Sequence, residues 1–267
     1  MPLNRVKVVM MSELKVFVDG YIECLKKNLT FRSEPKTDCD WYFGEASSVI
    51  GSLLARQITL SMHLAMSPNC WNGHIAPLFL RSMIDAHISL AWILKDPNQR
   101  SKEYISYALG QEKLSRGHLE RKLEENPEDT KIVSMIESKS EWINSHMLMS
   151  LVEVNLGSWS GSSVRQMCVD IDDEDFYNFS FAPFSACVHN NWYHLNLYNS
   201  WPCDNPLHKN HFMPNILERP VDLDFLFRSG KYASMSLKAF DNALGLEIDC
   251  TTPRDWILEN ELQTEER

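Results

Sequence analysis

An apolar stretch of helical length contains two opposite charges. It runs from Ile75 to Leu94 as IAPLFLRSMIDAHISLAWIL, and Arg81 and Asp85 lie inside it. Residues four apart share one face of a helix, and a charge in an apolar environment is tolerated only when it is paired. We therefore predict that the pair forms one polar site, with Trp92 further along the same stripe. A buried ion pair that only fixes helix register would give the same pattern, so both interpretations stay open.

A second group of polar residues surrounds His189. The sequence SACVHNNWYH places Asn190 directly after this histidine and Tyr193 one turn later. An imidazole exchanges a proton near neutral pH, and neighbouring amides can hold a phosphate, a base edge or a carbonyl. We predict that Arg81, Asp85 and His189 meet in one pocket. The alternative is a core histidine that only hydrogen-bonds a backbone carbonyl.

Metal chemistry competes with this prediction, because the chain has nine histidines. The tightest pair is His208 and His211, in a proline-rich loop without the nearby cysteine spacing of a zinc site. The chain has no Glu-x-x-His pair of the kind found in bundle carboxylate sites, and no GxGxxG, GxxxxGK[ST], HExxH or GxSxG motif. We therefore expect no metal and no cofactor. Nucleotide-driven motors, HExxH metalloproteases and α/β-hydrolases are disfavoured.

The two polar motifs together resemble a widespread family of bacterial helical proteins that is distantly similar to the HEPN superfamily of nucleotide-binding and ribonuclease domains. The first motif reads LRSMIDAHISLAWILKDP, and the second reads YNFSFAPFSACVHNNW. The resemblance extends from Trp41 to Tyr198. The matching positions are Leu80, Arg81, Asp85, Tyr177 or Phe181, Ser185 and His189.

The resemblance implies metal-independent RNA cleavage in a toxin or phage-defence context. His189 would exchange a proton with the ribose hydroxyl or the leaving oxygen, Arg81 would stabilise the phosphorane charge, and Asp85 would orient Arg81. The residues expected to bind substrate are Asn190, Tyr177, Tyr193 and Trp92. The resemblance also implies RNA or a nucleotide as ligand, a homodimer, and a partner protein encoded nearby.

One departure keeps a second function open. HEPN ribonucleases carry their arginine and histidine on one helix, whereas the predicted helix of His189 has no arginine. Arg81 and His87 satisfy the usual spacing but diverge on the helix surface, and we expect His87 in the core or at the surface. A catalytically silent module that binds a nucleotide or a partner protein is therefore the alternative.

Apolar residues that recur at three and four positions predict helices through most of the chain. We expect an all-α helical bundle of at least seven helices with a decorated C-terminal end, because strand-like alternation is absent. One domain would span 1–267, with a core bundle at about 41–198. A helix at 11–31 and another at 221–246 would pack on it. The remaining predicted helices are 41–66, 75–94, 101–125, 130–147, 164–169 and 175–198, and an irregular excursion covers 201–220.

The composition argues for a cytoplasmic protein. The chain has 26 Lys and Arg against 36 Asp and Glu, which disfavours broad attraction to nucleic acid or anionic membranes but allows a local basic pocket. Seven cysteines without a CxxC pair fit a reducing compartment, and we expect buried thiols. Charges scattered through the N-terminal residues do not fit a secretory signal. Charges inside the Ile75–Leu94 stretch argue against a membrane span.

Overall fold

The structure is a computed structural model that describes residues 3–33, 44–147, 158–216 and 218–260. In these ranges it is all-α apart from one small sheet, so the predicted fold class and the expected minimum of seven helices are confirmed. The helices are α1 (Leu3–Ser33), α2 (Glu45–Ala65), α3 (Ala76–Ile93), α4 (Pro97–Glu125), α5 (Thr130–Met147), α6 (Val164–Asp170), α7 (Glu174–Phe176), α8 (Ala182–Val188), α9 (Trp192–Asn199), α10 (Asp224–Leu244) and α11 (Pro253–Glu259). The predicted start of the second helix at Trp41 lies outside the described residues.

Helix α3 lies at the centre of the bundle, packed against α2 and α10. Its sequence is apolar around most of its circumference, as expected of a helix with neighbours on several sides. Leu80, Met83 and Ile84 are fully buried. Trp71, just before α3, is also buried and donates its indole N–H to the Leu64 carbonyl at 2.7 Å. The polar residues of α3 are therefore held on a tightly packed scaffold.

A buried chain of hydroxyls joins α1, α2 and α10. Ser229 donates to the Leu226 carbonyl (2.8 Å), so its oxygen is free to accept from Ser61 (3.1 Å). Ser61 in turn accepts from Tyr21 (2.8 Å). Burial raises the pKa of Tyr21 well above its usual value, so the phenol stays protonated and can donate. This satisfied network fixes α1 on the bundle.

The predicted continuous helix at 175–198 is wrong, because the chain turns between α8 and α9. Asn190 has φ +51, a left-handed conformation that asparagine tolerates better than most residues. Asn191 then caps α9 by accepting from the Tyr193 N–H at 3.0 Å. Ahead of α8, residues 177–181 form a π-helical turn. It lies just before Pro183, which lacks the N–H that an α-helical turn would use.

The excursion at 201–220 contains the sheet that the sequence did not predict. Strand β1 (Ser200–Pro202) pairs antiparallel with β2 (Phe212–Pro214), and Trp201 lies opposite Met213. We name this unit, residues 200–214, the hairpin. It follows α9 (Trp192–Asn199) directly in the chain. The predicted decoration of the bundle is therefore a short β-hairpin with its loop.

Among the described helices, none is long and apolar enough to cross a membrane.

The expectation that the cysteines are buried is only partly correct. Cys24, Cys168 and Cys187 are buried, whereas the remaining described cysteines, Cys70, Cys203 and Cys250, are partly exposed. Cys39 lies outside the described residues. Thiols near the surface are available for chemistry that buried thiols cannot perform.

Candidate functional site

The guanidinium of Arg81 lies flat in an aromatic stack. Its Cζ is 3.5 Å from the centroid of the Phe181 ring, and Phe181 stacks on Tyr177 with centroids 5.0 Å apart and planes 18° from parallel. Arg81 is only 9 % exposed. The stack fixes the plane of the guanidinium through cation–π attraction. It also places Tyr177, a predicted ligand-binding residue, in the second layer beneath Arg81.

The predicted ion pair between Arg81 and Asp85 forms, through Nη1 and Oδ2. Only Arg81 of the pair is buried, because the side chain of Asp85 is 50 % exposed. Four residues of helix advance 400°, so Asp85 is turned about 40° from Arg81 and reaches the edge of the buried face. The Arg81 cluster, which we define as Arg81, Asp85, Phe181 and Tyr177, is therefore buried at the arginine and open to solvent at the carboxylate.

Two N–H groups of Arg81 lack hydrogen-bond partners. Nε and Nη1 are both buried, and neither has an acceptor with hydrogen-bond geometry, although Nη1 lies close to the Asp85 carboxylate. An unsatisfied donor on a buried charged group is costly. A guanidinium presents its donors in a fixed planar fork that matches a phosphate or a carboxylate. An anion that entered beside the half-exposed Asp85 could therefore supply one oxygen to Nε and replace the carboxylate at Nη1.

His189 lies at the C-terminal end of α8, exposed to solvent, and does not belong to the core. Arg81 stacks on Phe181, and the ring centroids of His87 and Phe176 are 5.2 Å apart. The later residue of α3 thus contacts the earlier residue of the other segment, so residues 174–188 run antiparallel to α3. Eight residues separate Phe181 from His189, which is about 12 Å of helix. Asn190 and Tyr193 are exposed beside His189. A pocket that unites Arg81, Asp85 and His189 stays a prediction.

Trp92 belongs to a different group of side chains. It lies eleven residues from Arg81 on the same helix, about 16 Å along the axis. Its indole donates to Asp170 at 3.0 Å, its ring is 3.6 Å from Cζ of Arg100, and it meets Trp159 edge to face. The indole hydrogen bond lowers the pKa of Asp170. Trp159 lines a cavity of about 580 Å³ between α4 and α5.

Sequence reasoning missed one cluster and left one histidine undecided. Cys203 lies with His208 and His211, and their ligand atoms are all within 4.8 Å of one another. The expectation that this histidine pair lacks the nearby cysteine spacing of a zinc site overlooked Cys203. The signal was present in the short Cys-x4-His-x2-His spacing, but it became meaningful only once the flanking segments paired as strands. His87 is a core residue, with Nδ1 3.0 Å from the Ser236 hydroxyl.

Comparison with known proteins gives one match. A model of the family described as "Family of unknown function (DUF5677)" matches residues 47–206. No curated protein matches the chain, and neither does a solved structure. The matched range contains the Arg81 cluster and His189, but it ends before His208 and β2.

Proposed function

We propose that this chain, which belongs to the DUF5677 family of unknown function, binds a phosphate-bearing ligand, RNA or a nucleotide, through Arg81. The observation that carries the proposal is a guanidinium nine-tenths buried, whose Nε lacks a hydrogen-bond partner and whose Nη1 is paired with the half-exposed carboxylate of Asp85. One phosphate oxygen would satisfy Nε, which has no partner, and a second would replace the Asp85 carboxylate at Nη1. Phe181 holds the fork in one plane, so little rotational entropy is lost on binding.

Asp85 acts as the counter-ion when no ligand is bound. Its carboxylate can swing away from Arg81, since half of the Asp85 side chain is exposed to solvent. An incoming phosphate would replace that carboxylate on the guanidinium. The net charge of −10 gives the chain no general attraction for polyanions, so affinity has to come from this local contact.

Conservative variants of the pair test the proposal. Arg81→Lys keeps the charge but loses the planar fork, and we expect the affinity for a fluorescent single-stranded RNA to fall at least about tenfold. Asp85→Asn removes the competing carboxylate and should raise the affinity several-fold. Fluorescence anisotropy on the full chain measures both, with circular dichroism as a check on folding.

The matched control is a second Arg–Asp pair with the same four-residue spacing. Arg228 and Asp224 on α10 form an exposed pair at 2.5 Å. Arg228→Lys and Asp224→Asn change the same chemical groups away from the cluster, and neither should alter RNA affinity. If Arg81→Lys binds RNA as tightly as the unaltered chain, or if Arg228→Lys weakens binding equally, Arg81 is not the ligand site.

A second candidate function is RNA cleavage by a HEPN-like effector of a toxin or phage-defence system. The observation that favours it is the exposed imidazole of His189 at the end of α8, where RNA could reach it and it could act as a general acid. Arg81 would bind the scissile phosphate, and Asn190 would help to position it. Because about 12 Å of helix separates His189 from Phe181, catalysis would join groups from two protomers. The exposed Trp192 and Tyr193 offer apolar surface for such a homodimer.

Cleavage is tested with His189→Ala. If the chain is a metal-independent ribonuclease, this variant should lose RNA cleavage in the presence of a chelator while its Tm stays within a few degrees of the unaltered chain. His118→Ala, an exposed histidine on α4, is the control and should retain full activity. Sedimentation of the same samples reports whether the active species is a dimer. RNA that stays intact at high protein concentration, with and without divalent metal, would leave binding as the only function proposed.

A further inference from the structure

Three metal-ligating side chains meet in the hairpin loop. Cys203, His208 and His211 each offer one ligand atom, and these atoms lie within 4.8 Å of one another. We propose that they bind a zinc ion that holds the hairpin closed. This site is separate from the Arg81 cluster and does not depend on the proposed function.

The backbone of the hairpin brings the ligands together. Cys203 follows β1 directly and His211 precedes β2. The Cys203 N–H donates to the His211 carbonyl at 2.9 Å, which continues the pairing of the strands by one step. His208 comes from a turn closed by its own N–H on the Asn205 carbonyl at 3.0 Å. Cys203 and His211 thus lie next to each other on paired backbone, and the turn brings His208 close to both.

The distance between Cys203 and His208 fits tetrahedral zinc. Zinc bonds to sulfur and nitrogen are about 2.3 Å and 2.05 Å long, so in a tetrahedral site the sulfur and nitrogen atoms lie about 3.6 Å apart. The Sγ of Cys203 lies 3.6 Å from Nδ1 of His208. One thiolate and two imidazoles form the mixed sulfur and nitrogen donor set that zinc favours. Among the described residues, no fourth Cys, His, Asp or Glu joins the cluster, so water or an external ligand would complete the coordination.

The hairpin is stabilised by few contacts, chiefly the edge-to-face contact of Phe212 with Trp192 on α9. Within 201–216 and 218–222 no residue is buried, and Leu207 and Ile216 are almost fully exposed. A two-stranded hairpin is marginally stable on its own, and these strands have only three residues each. A metal that binds only the folded loop adds its binding free energy to the free energy of folding. Zinc would therefore stabilise the hairpin, which has no buried side chains of its own to do so.

Cobalt binding tests the ligand set. The full chain, freed of metal by a chelator under reducing conditions, should bind one equivalent of Co²⁺. Thiolate-to-cobalt charge-transfer absorption and the visible bands of a tetrahedral ion should appear, and Zn²⁺ should displace both. Cys203→Ser should lose the charge-transfer band, and His211→Ala should weaken binding at least about tenfold. Cys250→Ser and His118→Ala, which alter the same residue types elsewhere, should bind cobalt normally.

Limited proteolysis measures whether zinc closes the hairpin loop. Lys209 is exposed between the ligands His208 and His211, so trypsin can cleave after it. We expect Zn²⁺ to slow this cleavage at least about tenfold in the unaltered chain and to leave it unchanged in Cys203→Ser. The proposal is overturned if no equivalent of cobalt binds, if Cys203→Ser keeps the thiolate band, or if zinc does not protect Lys209 from trypsin. None of these results depends on RNA binding at Arg81.

Discussion

Replacing Asp241 with alanine is expected to lower the free energy of unfolding by about 3–5 kcal/mol. Asp241 on α10 accepts from Nε of Arg32 at 2.8 Å and from Nη2 at 2.5 Å. The side chains of Arg32 and Asp241 are only 2 % and 14 % exposed. Without its partner the guanidinium stays buried and charged, held only through Nη1 by the carbonyl and side-chain oxygens of Asn28. Removing one partner therefore costs far more than the pair itself contributes.

Urea unfolding measures this loss. Glu23→Ala removes a carboxylate from an exposed ion pair with Lys26 on the same helix and should change stability by no more than about 0.5 kcal/mol. The double variant Arg32→Met with Asp241→Leu removes both charges and should recover most of the loss. If Asp241→Ala loses no more stability than Glu23→Ala, the buried pair does not hold α1 on α10.

Acidification should destabilise the protein through His87. Burial lowers the pKa of this histidine to about 4, against about 6.5 in an unfolded chain. Because the unfolded state then binds a proton that the folded state does not, stability is present above pH 6.5 and is lost as the pH falls towards 4. The contribution of His87 between pH 7 and pH 5 is about 2 kcal/mol. The Ser236 hydroxyl donates to the Tyr232 carbonyl and so accepts from His87 Nδ1, which fixes the neutral tautomer.

The pH dependence of unfolding isolates this histidine. His87→Gln should be less stable than the unaltered chain at pH 7, yet its free energy of unfolding should fall by about 2 kcal/mol less between pH 7 and pH 5. His118→Ala, which removes an exposed histidine, should follow the unaltered chain. Parallel curves for His87→Gln and the unaltered chain would contradict the assigned role of His87.

Local pattern explains what the sequence predicted correctly. The apolar stretch around Arg81 has the period and the length of a buried helix, and α3 is that helix. The four-residue spacing to Asp85 predicts the ion pair, but it cannot show how far each partner reaches into solvent, since that depends on the packing of Phe181. The pair Asn190-Asn191 could have predicted the break between α8 and α9, because asparagine favours both the left-handed turn and the helix cap.

Contacts between distant segments explain what the sequence could not predict. Arg32 and Asp241 are 209 residues apart, and neither position stands out in its own helix. Trp92 shares a stripe with Arg81, yet the helical rise separates them by about 16 Å, so a common face does not make a common site. The cluster of Cys203, His208 and His211 depends on two strands of three residues each, too short for their alternation to be recognised.

The state of the Arg81 Nε–H group can be followed directly by NMR. Its resonance in the folded, ¹⁵N-labelled chain is assigned by its loss in Arg81→Lys, and RNA is then added. Binding of phosphate oxygen to Nε should shift this proton downfield and slow its exchange with water, while the Nε–H of Arg228 stays unchanged. An Arg81 Nε–H resonance that does not move when the chain is saturated with RNA would contradict the proposal that Arg81 holds the phosphate.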